Sequence, residues 1–451
     1  MTSALLKKYD TPTPRYTSYP TVPTWETDSF STEKWEESVR RSFEESNDKK
    51  GISIYIHLPF CESLCTYCAC NTRITRNHLV EIPYIQALLK EWEHYRRIFG
   101  KRPVIRELHM GGGTPTFFST KNLHWLITYL LEDTDLHPDF EFSFEGHPNN
   151  TTEEHLRTLF DLGFRRVSFG VQDLDAKVQR TIHRIQPFEN LERATTLARE
   201  IGYKSVSFDL IYGLPFQTPF TVSDTIDKIL TLHPDRLAFY SYAHVPWLRP
   251  GQRGYGDGDL PSNFLKRHLY EIGRHKLCKA GYADIGMDHF ALPGDELFKA
   301  HVVGRLHRNF MGYTTNQTDL LIGLGASSIS DSGYAYAQNH KKVEDYNNLI
   351  RTDGTATVKG HMLTDEDQLI KRSILQISCC GQLDRKMLER IADDQIYATL
   401  SEMEEEGILY VLADGLQVTT AGEPFIRNIC SVFDKRMKGM DKGSELFSKA
   451  I

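Results

Sequence analysis

The sequence predicts an α/β protein built around a barrel of parallel strands, with an arm before the barrel and a small, mostly helical unit after it. Three observations carry this prediction. Short β-rich runs alternate with amphipathic helical segments from residue 52 to about residue 243, polar and glycine-rich residues recur at the carboxyl ends of successive runs, and no GxGxxG follows the first run. Alternating strand and helix implies parallel strands with right-handed crossovers, as a barrel or an open doubly wound sheet. Chemistry gathered at the strand ends favours the barrel, and the missing dinucleotide fingerprint counts against the open sheet.

The arm and its helix occupy residues 1–50. The stretch PTPRYTSYPTVPTW is broken by four prolines, which favour extended segments and turns, and STEKWEESVRRSFEES then begins like a capped helix. Tyr16, Tyr19 and Trp25 make this arm more aromatic than a disordered tail. It is expected to fold over the barrel mouth as a lid, the alternative being a strap over apolar barrel surface.

The barrel with its extension is assigned to residues 51–364. Its six candidate strands are ISIYIHL, VIRELHM, FEFSFE, RRVSFGVQ, SVSFDLIYG and RLAFYSYA. Apolar residues at helical spacing mark helices near 82–100, 120–133, 152–163, 189–203 and 220–234. Beyond residue 244 the alternation becomes irregular, and HVPWLRPGQRGYGDGDLP reads as a long loop. Residues 365–451 read as a small helical module with a short strand pair, GILYVLADGLQVTTAG, resembling a winged helix.

A chain of 451 residues is long enough for two or three units, and 40% hydrophobic with 25% charged residues is the balance of a globular protein. No apolar run approaches a membrane span, and the opening MTSALLKKYDTPTPRY lacks the apolar core and cleavage site of a secretory signal. A cytoplasmic protein without membrane contact is expected. The net charge of -7, with no dense Lys/Arg block, argues against a nucleic-acid partner.

Of eight cysteines, four crowd into residues 61–70. In a reducing compartment such a cluster binds metal or does chemistry more often than it forms disulfides. Cys61, Cys65 and Cys68 follow the first strand in the order Cys-x3-Cys-x2-Cys. Three thiolates on one loop can ligate three irons of a 4Fe-4S cluster and leave the fourth open to the amino and carboxylate groups of S-adenosylmethionine. A zinc site with Cys70 as fourth ligand and an unused thiol cluster are the alternatives. Polar residues mark the other strand ends. Gly111, Gly112 and Gly113 follow the second, and Glu145, Gln172, Asp209 and Ala243 lie at or near the ends of the third to sixth.

The motifs TPTPRYTSYP, YIHLPFCESLCTYCACN, GGGTPT, SFGVQD, DLIYGLP, YAHVP, GMDHFA, LHRNFMGYTT and IRNICSVFD run nearly from end to end. Through them the chain resembles the oxygen-independent coproporphyrinogen III oxidases, or coproporphyrinogen dehydrogenases, of the radical S-adenosylmethionine superfamily. The resemblance implies an incomplete (β/α)6 TIM-like barrel of the radical SAM type, one 4Fe-4S cluster and two S-adenosylmethionine molecules. It implies oxidative decarboxylation of two propionates of coproporphyrinogen III, giving protoporphyrinogen IX in haem synthesis. Carried over residue by residue, Cys61, Cys65 and Cys68 are the cluster ligands. Tyr55, Tyr67, Gly112, Gly113, Thr114, Glu145, Gln172, Arg184, Asp209, Ala243 and Ile329 fall where the family contacts S-adenosylmethionine. A low-potential electron donor such as flavodoxin or ferredoxin and a monomeric state are expected, and no catalytic side chain is assigned. Tyr67, Ala69 and the Gly-His-Pro after Glu145 depart from the common family pattern. Arg15, Arg305 and Arg308 are candidates for gripping the substrate's carboxylates. A sister group of haem-binding chaperones is the main alternative, and Cys70 and the TPTPRYTSYP arm speak against it. A radical enzyme acting on another large substrate is the second.

Overall fold

Six parallel strands form in the order expected: β1 (Ile52–Leu58), β2 (Val104–Gly112), β3 (Asp135–Gly146), β4 (Phe164–Gln172), β5 (Ser205–Tyr212) and β6 (Arg236–Ser241). Each pairs in parallel with the next. The structure, a computed structural model, describes residues 3–437 and 447. The capped helix expected before the barrel is α1 (Thr32–Lys50), and the helices between strands lie where the apolar spacing put them: α2 (Glu81–Phe99), α3 (Thr120–Leu131), α4 (Glu153–Asp161), α5 (Phe188–Ile201) and α6 (Pro219–Leu230). Their starts are written in the sequence. The hydroxyls of Ser31, Ser119, Thr152 and Thr218 each accept a backbone N–H in the first turn of α1, α3, α4 and α6.

The strands use their two faces differently. Ile54, Ile56, Leu108, Met110, Phe142, Phe144, Val167, Phe169, Val206, Phe208 and Leu237 are buried in one large core, together with Trp35, Val39 and Phe43 of α1. The alternate positions, among them His109, Glu145, Ser168, Ser207, Asp209 and Tyr240, line a cavity instead. With a period of two, apolar residues seal the barrel against its helices and polar ones furnish its lumen.

The barrel does not close. β1 pairs in parallel with β9 (Leu321–Leu324) and β6 pairs antiparallel with β8 (His289–Ala291), beside which runs β7 (Ala283–Gly286). Beyond β9 follow β10 (Ile329–Asp331), β11 (Ala335–Asn339) and β12 (Thr357–Met362), all antiparallel. Among the described residues the sheet has twelve strands in the order β12-β11-β10-β9-β1-β2-β3-β4-β5-β6-β8-β7. The segment that reads as irregular in sequence thus supplies half of them. These strands are three to six residues long, too short for a clear periodic pattern. The 244–261 stretch is a loop with two single-turn 3-10 segments, Pro250–Gly254 and Asp257–Asp259. A helix, α7 (Asn263–Lys279), follows it. A two-stranded hairpin, His307–Asn309 with Gly312–Thr314, brings Met311 and Tyr313 to the lumen.

Helix α8 (Val343–Asp353) packs beside α2, and α9 (Asp365–Cys380) opens the C-terminal segment, capped by Thr364. There Gln382–Asp384, Leu409–Leu412 and Gly415–Val418 form a three-stranded sheet, one strand more than the pair visible in sequence. Buried residues from Leu369 to Phe433 make a second core, and Tyr9, Tyr16 and Tyr19 of the arm belong to it. The arm is therefore mainly a strap, fastened to the C-terminal segment, with the Tyr19 carbonyl also accepting from Tyr336 of β11 at 3.2 Å. Arg427 donates to Pro14 O at 3.2 Å, Asn428 to Tyr9 O at 3.0 Å, and Tyr16 to Asp434 Oδ2 at 3.1 Å. Trp25 stacks on Tyr336 of β11 with the rings 5.5 Å apart. Arg15 reaches the barrel mouth, pairing with Asp288 at 3.2 Å.

Candidate active site

The loop after β1 carries the cysteines, and two features hold it. Phe60–Cys61 pairs with Arg73–Ile74, closing the loop at its base. Gly113 N donates to Leu58 O at 2.8 Å and Thr114 N to Phe60 O at 3.0 Å, tying it to the end of β2. Cys61 Sγ lies 3.4 Å from Thr114 Oγ1, and Arg184 Nη1 lies 3.7 Å from Cys65 Sγ. Burial pushes the Cys61 thiol up to about 11, against the hydrogen bond from Thr114. Cys68 moves the other way, because a hydrogen bond with Cys70 favours its thiolate and the Arg184 and Arg249 charges add to that.

The glycine run is explained by three different neighbours. A Cβ on Gly111 would stand 2.9 Å from the Glu145 carboxylate, one on Gly112 2.5 Å from the His57 ring, and one on Gly113 2.6 Å from the Pro59 carbonyl carbon. Gly112 also has φ +108, a conformation other residues avoid. The bare backbone lets Gly112 N donate to Glu145 Oε2 at 3.1 Å. Burial alone would raise the Glu145 pKa, but the nearby His109 ring, the Gly112 N–H and His57 outweigh it and hold the carboxyl below its usual value. Tyr55 binds His57 Nδ1 at 3.0 Å and stacks on His109, its partner in register on β2.

Across the lumen Ser168, in register with Glu145, donates to Asp209 Oδ2 at 3.2 Å. Burial, with Glu145 as a like charge nearby, pushes Asp209 up to about 7. Gln172 ends β4 with φ 66, and Arg184 donates to Gly170 O at 2.6 Å. A Cβ on Gly170 would lie 2.7 Å from Gln172 and 3.0 Å from Arg184, so that glycine too makes room for site residues.

One cavity of about 740 Å³ gathers Cys61, Cys65, Cys68, Tyr67, Gly112, Gly113, Thr114, Glu145, Gln172, Arg184 and Asp209. Cys70 lines it as well. Tyr55, Ala243 and Ile329 are not among its lining residues. Tyr55 lies beside His57 and His109, while Ile329 starts β10, where its carbonyl packs over Gly323. Ala243 follows β6, and its carbonyl accepts from Gln252 at 3.2 Å. Gln252, which the sequence reading overlooked, is fully buried and also reaches Tyr67 O at 3.5 Å and Val245 N at 2.6 Å. It fastens the cysteine loop to the end of β6 from inside a segment that reads as plain loop. His57, His109 and Ser168 were also overlooked, although their alternation with apolar neighbours in β1, β2 and β4 is a usable signal. Of the three candidate arginines, Arg15 and Arg308 line a second cavity and Arg305 lies exposed outside both.

The donor set fits a 4Fe-4S cluster. Three thiols share one loop, with Arg184 beside Cys65, and the side-chain-free backbone of residues 111–113 lies alongside. Among the described residues no group of three or more His, Cys, Asp or Glu side chains converges on a single metal ion. A cubane takes its ligands at separate corners and asks for no such convergence.

A family model for the radical SAM superfamily matches residues 55–229, the span from Tyr55 through α6. The chain is 39% identical to the oxygen-independent coproporphyrinogen III oxidase of Helicobacter pylori (strain ATCC 700392 / 26695) over 98% of both chains. The chain belongs to the oxygen-independent coproporphyrinogen III oxidase family. The Escherichia coli (strain K12) member of that family is 38% identical over 99% of this chain and 98% of its own length. The solved structure of the Escherichia coli coproporphyrinogen III oxidase, described as a radical SAM enzyme, superposes with a TM-score of 0.89 over 96% of this chain and 98% of that one. A radical SAM oxidase of this family has a 4Fe-4S cluster and S-adenosylmethionine. Among the described residues no helix is long and apolar enough to cross a membrane.

Proposed function

We propose that this protein decarboxylates two propionates of coproporphyrinogen III oxidatively and without oxygen, giving protoporphyrinogen IX in haem biosynthesis. The observation that carries the reading is the end-to-end match to the oxidases together with a lumen that joins Cys61, Cys65 and Cys68 to Glu145, Arg184 and Asp209. When bound, the cluster and S-adenosylmethionine would supply a 5'-deoxyadenosyl radical as acceptor for a hydrogen atom of a propionate β-carbon, and loss of CO2 from the substrate would pass one further electron to an electron acceptor.

The chain's own residues do the positioning. Cys61, Cys65 and Cys68 are assigned as the cluster ligands. Of the remaining assigned residues, Gly112, Glu145, Gln172, Arg184 and Asp209 line the lumen, while Tyr55 on β1 and Ala243 after β6 stand outside its lining. The reading takes two S-adenosylmethionine molecules from the family resemblance. Tyr67, Gly113 and Thr114 lie by the cysteine loop, and Ile329 stands on the flanking sheet. Glu145 and Asp209 offer carboxylates to a cationic ligand, and a charged hydrogen bond of this kind contributes about 1.5–3 kcal/mol. Arg184, held by Gly170 O, fixes the far wall and faces Cys65.

Exposed Leu64 and Ile185, beside Cys65 and Arg184, with exposed Arg73 and Arg76 nearby in the chain, support delivery of the electron by a small acidic carrier such as flavodoxin or ferredoxin. The reading takes the protein as a cytoplasmic monomer, arm and C-terminal segment included. Anaerobic reconstitution with iron and sulfide, then incubation with coproporphyrinogen III, S-adenosylmethionine and reductant, tests it by chromatography of the porphyrins. Appearance of protoporphyrin after oxidation supports the reading. Haem binding without any conversion favours the chaperone alternative.

A further inference from the structure

Beside β6 and the C-terminal segment lies a second cavity of about 730 Å³, and five arginines line it. Four of them have partners. Arg15 pairs with Asp288 at 3.2 Å, Arg267 with Glu271, and Arg274 with Asp284 at 2.8 Å, while Arg427 donates to the arm carbonyl of Pro14. Glu423, the remaining carboxylate of the wall, lies near Arg274 and Asp284.

Arg308 differs from the other four. It is only 5% exposed, and among the described residues its buried Nε and Nη1 have no hydrogen-bond partner. Its guanidinium packs over the Tyr313 ring at 4.7 Å. A guanidinium keeps its charge at any ordinary pH, and a buried charge without a counter-charge is among the costliest arrangements in a folded protein. The ring face offsets a small part of that cost. Three of the wall's carboxylates, Asp288, Glu271 and Asp284, pair with other arginines, and Glu423 lies by Arg274, so among the described residues this cation is left to be completed by an anion from outside.

The position of Arg308 says which anion suits it. It sits on the hairpin strand His307–Asn309, opposite Tyr313 in register. Arg308 lines the second cavity, whereas Tyr313 and Met311 line the first, with His289 set edge-on against Tyr313 at 5.1 Å. The residue therefore stands in the wall between the lumen of Asp209 and Glu145 and a roomy second chamber. A tetrapyrrole with four propionates is wide enough to offer one carboxylate there while another lies in the lumen, and the planar fork of arginine matches a carboxylate through two hydrogen bonds.

We propose that Arg308 is a carboxylate anchor that holds a propionate of the tetrapyrrole and so positions the substrate between the two cavities. This rests on the decarboxylase reading above. The carboxylate of S-adenosylmethionine has the same chemistry, and the test separates the two sources.

The test uses the full-length, cluster-reconstituted protein, wild type and Arg308→Gln, in equilibrium dialysis with coproporphyrin III, with its tetramethyl ester and with S-adenosylmethionine. The expected result is a loss of about ten- to a hundredfold in coproporphyrin III affinity. Affinities for the ester and for S-adenosylmethionine should stay within about twofold, and KM for coproporphyrinogen III should rise more than kcat falls. A purely structural role would weaken all three ligands together. Should Arg308→Gln fail to fold, Arg308→Lys keeps the charge but loses the fork, and carries the same comparison. Unchanged coproporphyrin III affinity overturns the proposal, and so does a loss confined to S-adenosylmethionine. Wild-type protein that makes no protoporphyrinogen IX overturns the decarboxylase reading itself, whereas conversion by wild type with an unaffected Arg308 variant overturns only the anchor.

Discussion

Gly112 N donates to Glu145 Oε2 at 3.1 Å, joining the end of β2 to the end of β3 at the rim of the lumen. The contact exists because residues 111–113 carry no side chains, and each of the three glycines abuts a different neighbour. Gly113→Ala would push a Cβ to within 2.6 Å of the Pro59 carbonyl carbon, which is backbone and cannot swing away. Gly111→Ala would meet only the far end of the Glu145 side chain. Gly113→Ala is expected to cost about 1–3 kcal/mol of stability and to lower the iron content after reconstitution. Gly111→Ala should instead leave the melting temperature nearly unchanged and weaken S-adenosylmethionine binding. Thermal melts and dialysis measure the two effects, and a reversed pattern would show that the run serves another purpose.

The four clustered cysteines are expected to separate by role. Cys61→Ser, Cys65→Ser and Cys68→Ser are each expected to abolish the cluster or its activity, while Cys70→Ser keeps the iron-sulfur absorption. Iron and sulfide counts on anaerobically purified protein decide it. Loss of the cluster in Cys70→Ser, with one of the other three dispensable, would refute the ligand set.

Asp209 gives a pH signature. Its folded pKa of about 7 lies above the ordinary carboxyl value of 3.8. The folded state therefore holds a proton that the unfolded chain releases, and this group lowers stability progressively as pH rises from about 4 to about 7, with no further change above. Asp209→Asn removes the effect, so its melting temperature should gain on wild type by a few degrees between pH 5 and pH 8 in ligand-free protein. The same variant should weaken S-adenosylmethionine cleavage. A difference in melting temperature that does not depend on pH would count against this assignment.

The arm is expected to behave as a strap. Removing residues 1–25 uncovers the second core, where Tyr16 and Tyr19 are each 2% exposed, and burial of one large side chain contributes about 1.5–3 kcal/mol. The truncated chain should melt well below the full one or aggregate. Arg15→Ala, which leaves Tyr16 and Tyr19 in place, should keep stability and raise KM for coproporphyrinogen III. Full stability in the truncated chain would restore the lid.

Legibility in the sequence followed chain locality. All six barrel strands were visible because each is six or more residues long and β-rich, and the helices because their caps and apolar spacing lie within single segments. The cysteine loop was visible because its three thiols share one loop. Short flanking strands such as Ile329–Asp331 were hidden, since three residues carry no period. Gln252 was hidden because its meaning lies in contacts with Tyr67 and Ala243, which no local pattern encodes. The arm read as aromatic and ordered, but its partner lies some 400 residues away along the chain, as in the contact of Tyr16 with Asp434 at a separation of 418 residues.

The most direct measurement uses coproporphyrinogen III deuterated at the β-carbons of its propionates, incubated anaerobically with reconstituted enzyme, S-adenosylmethionine and reductant. Mass spectrometry of the 5'-deoxyadenosine formed then reads where its new hydrogen came from. The account predicts deuterium in that methyl group together with loss of CO2 and formation of protoporphyrinogen IX, all abolished in Cys65→Ser. Unlabelled 5'-deoxyadenosine accompanied by unconverted substrate would contradict it.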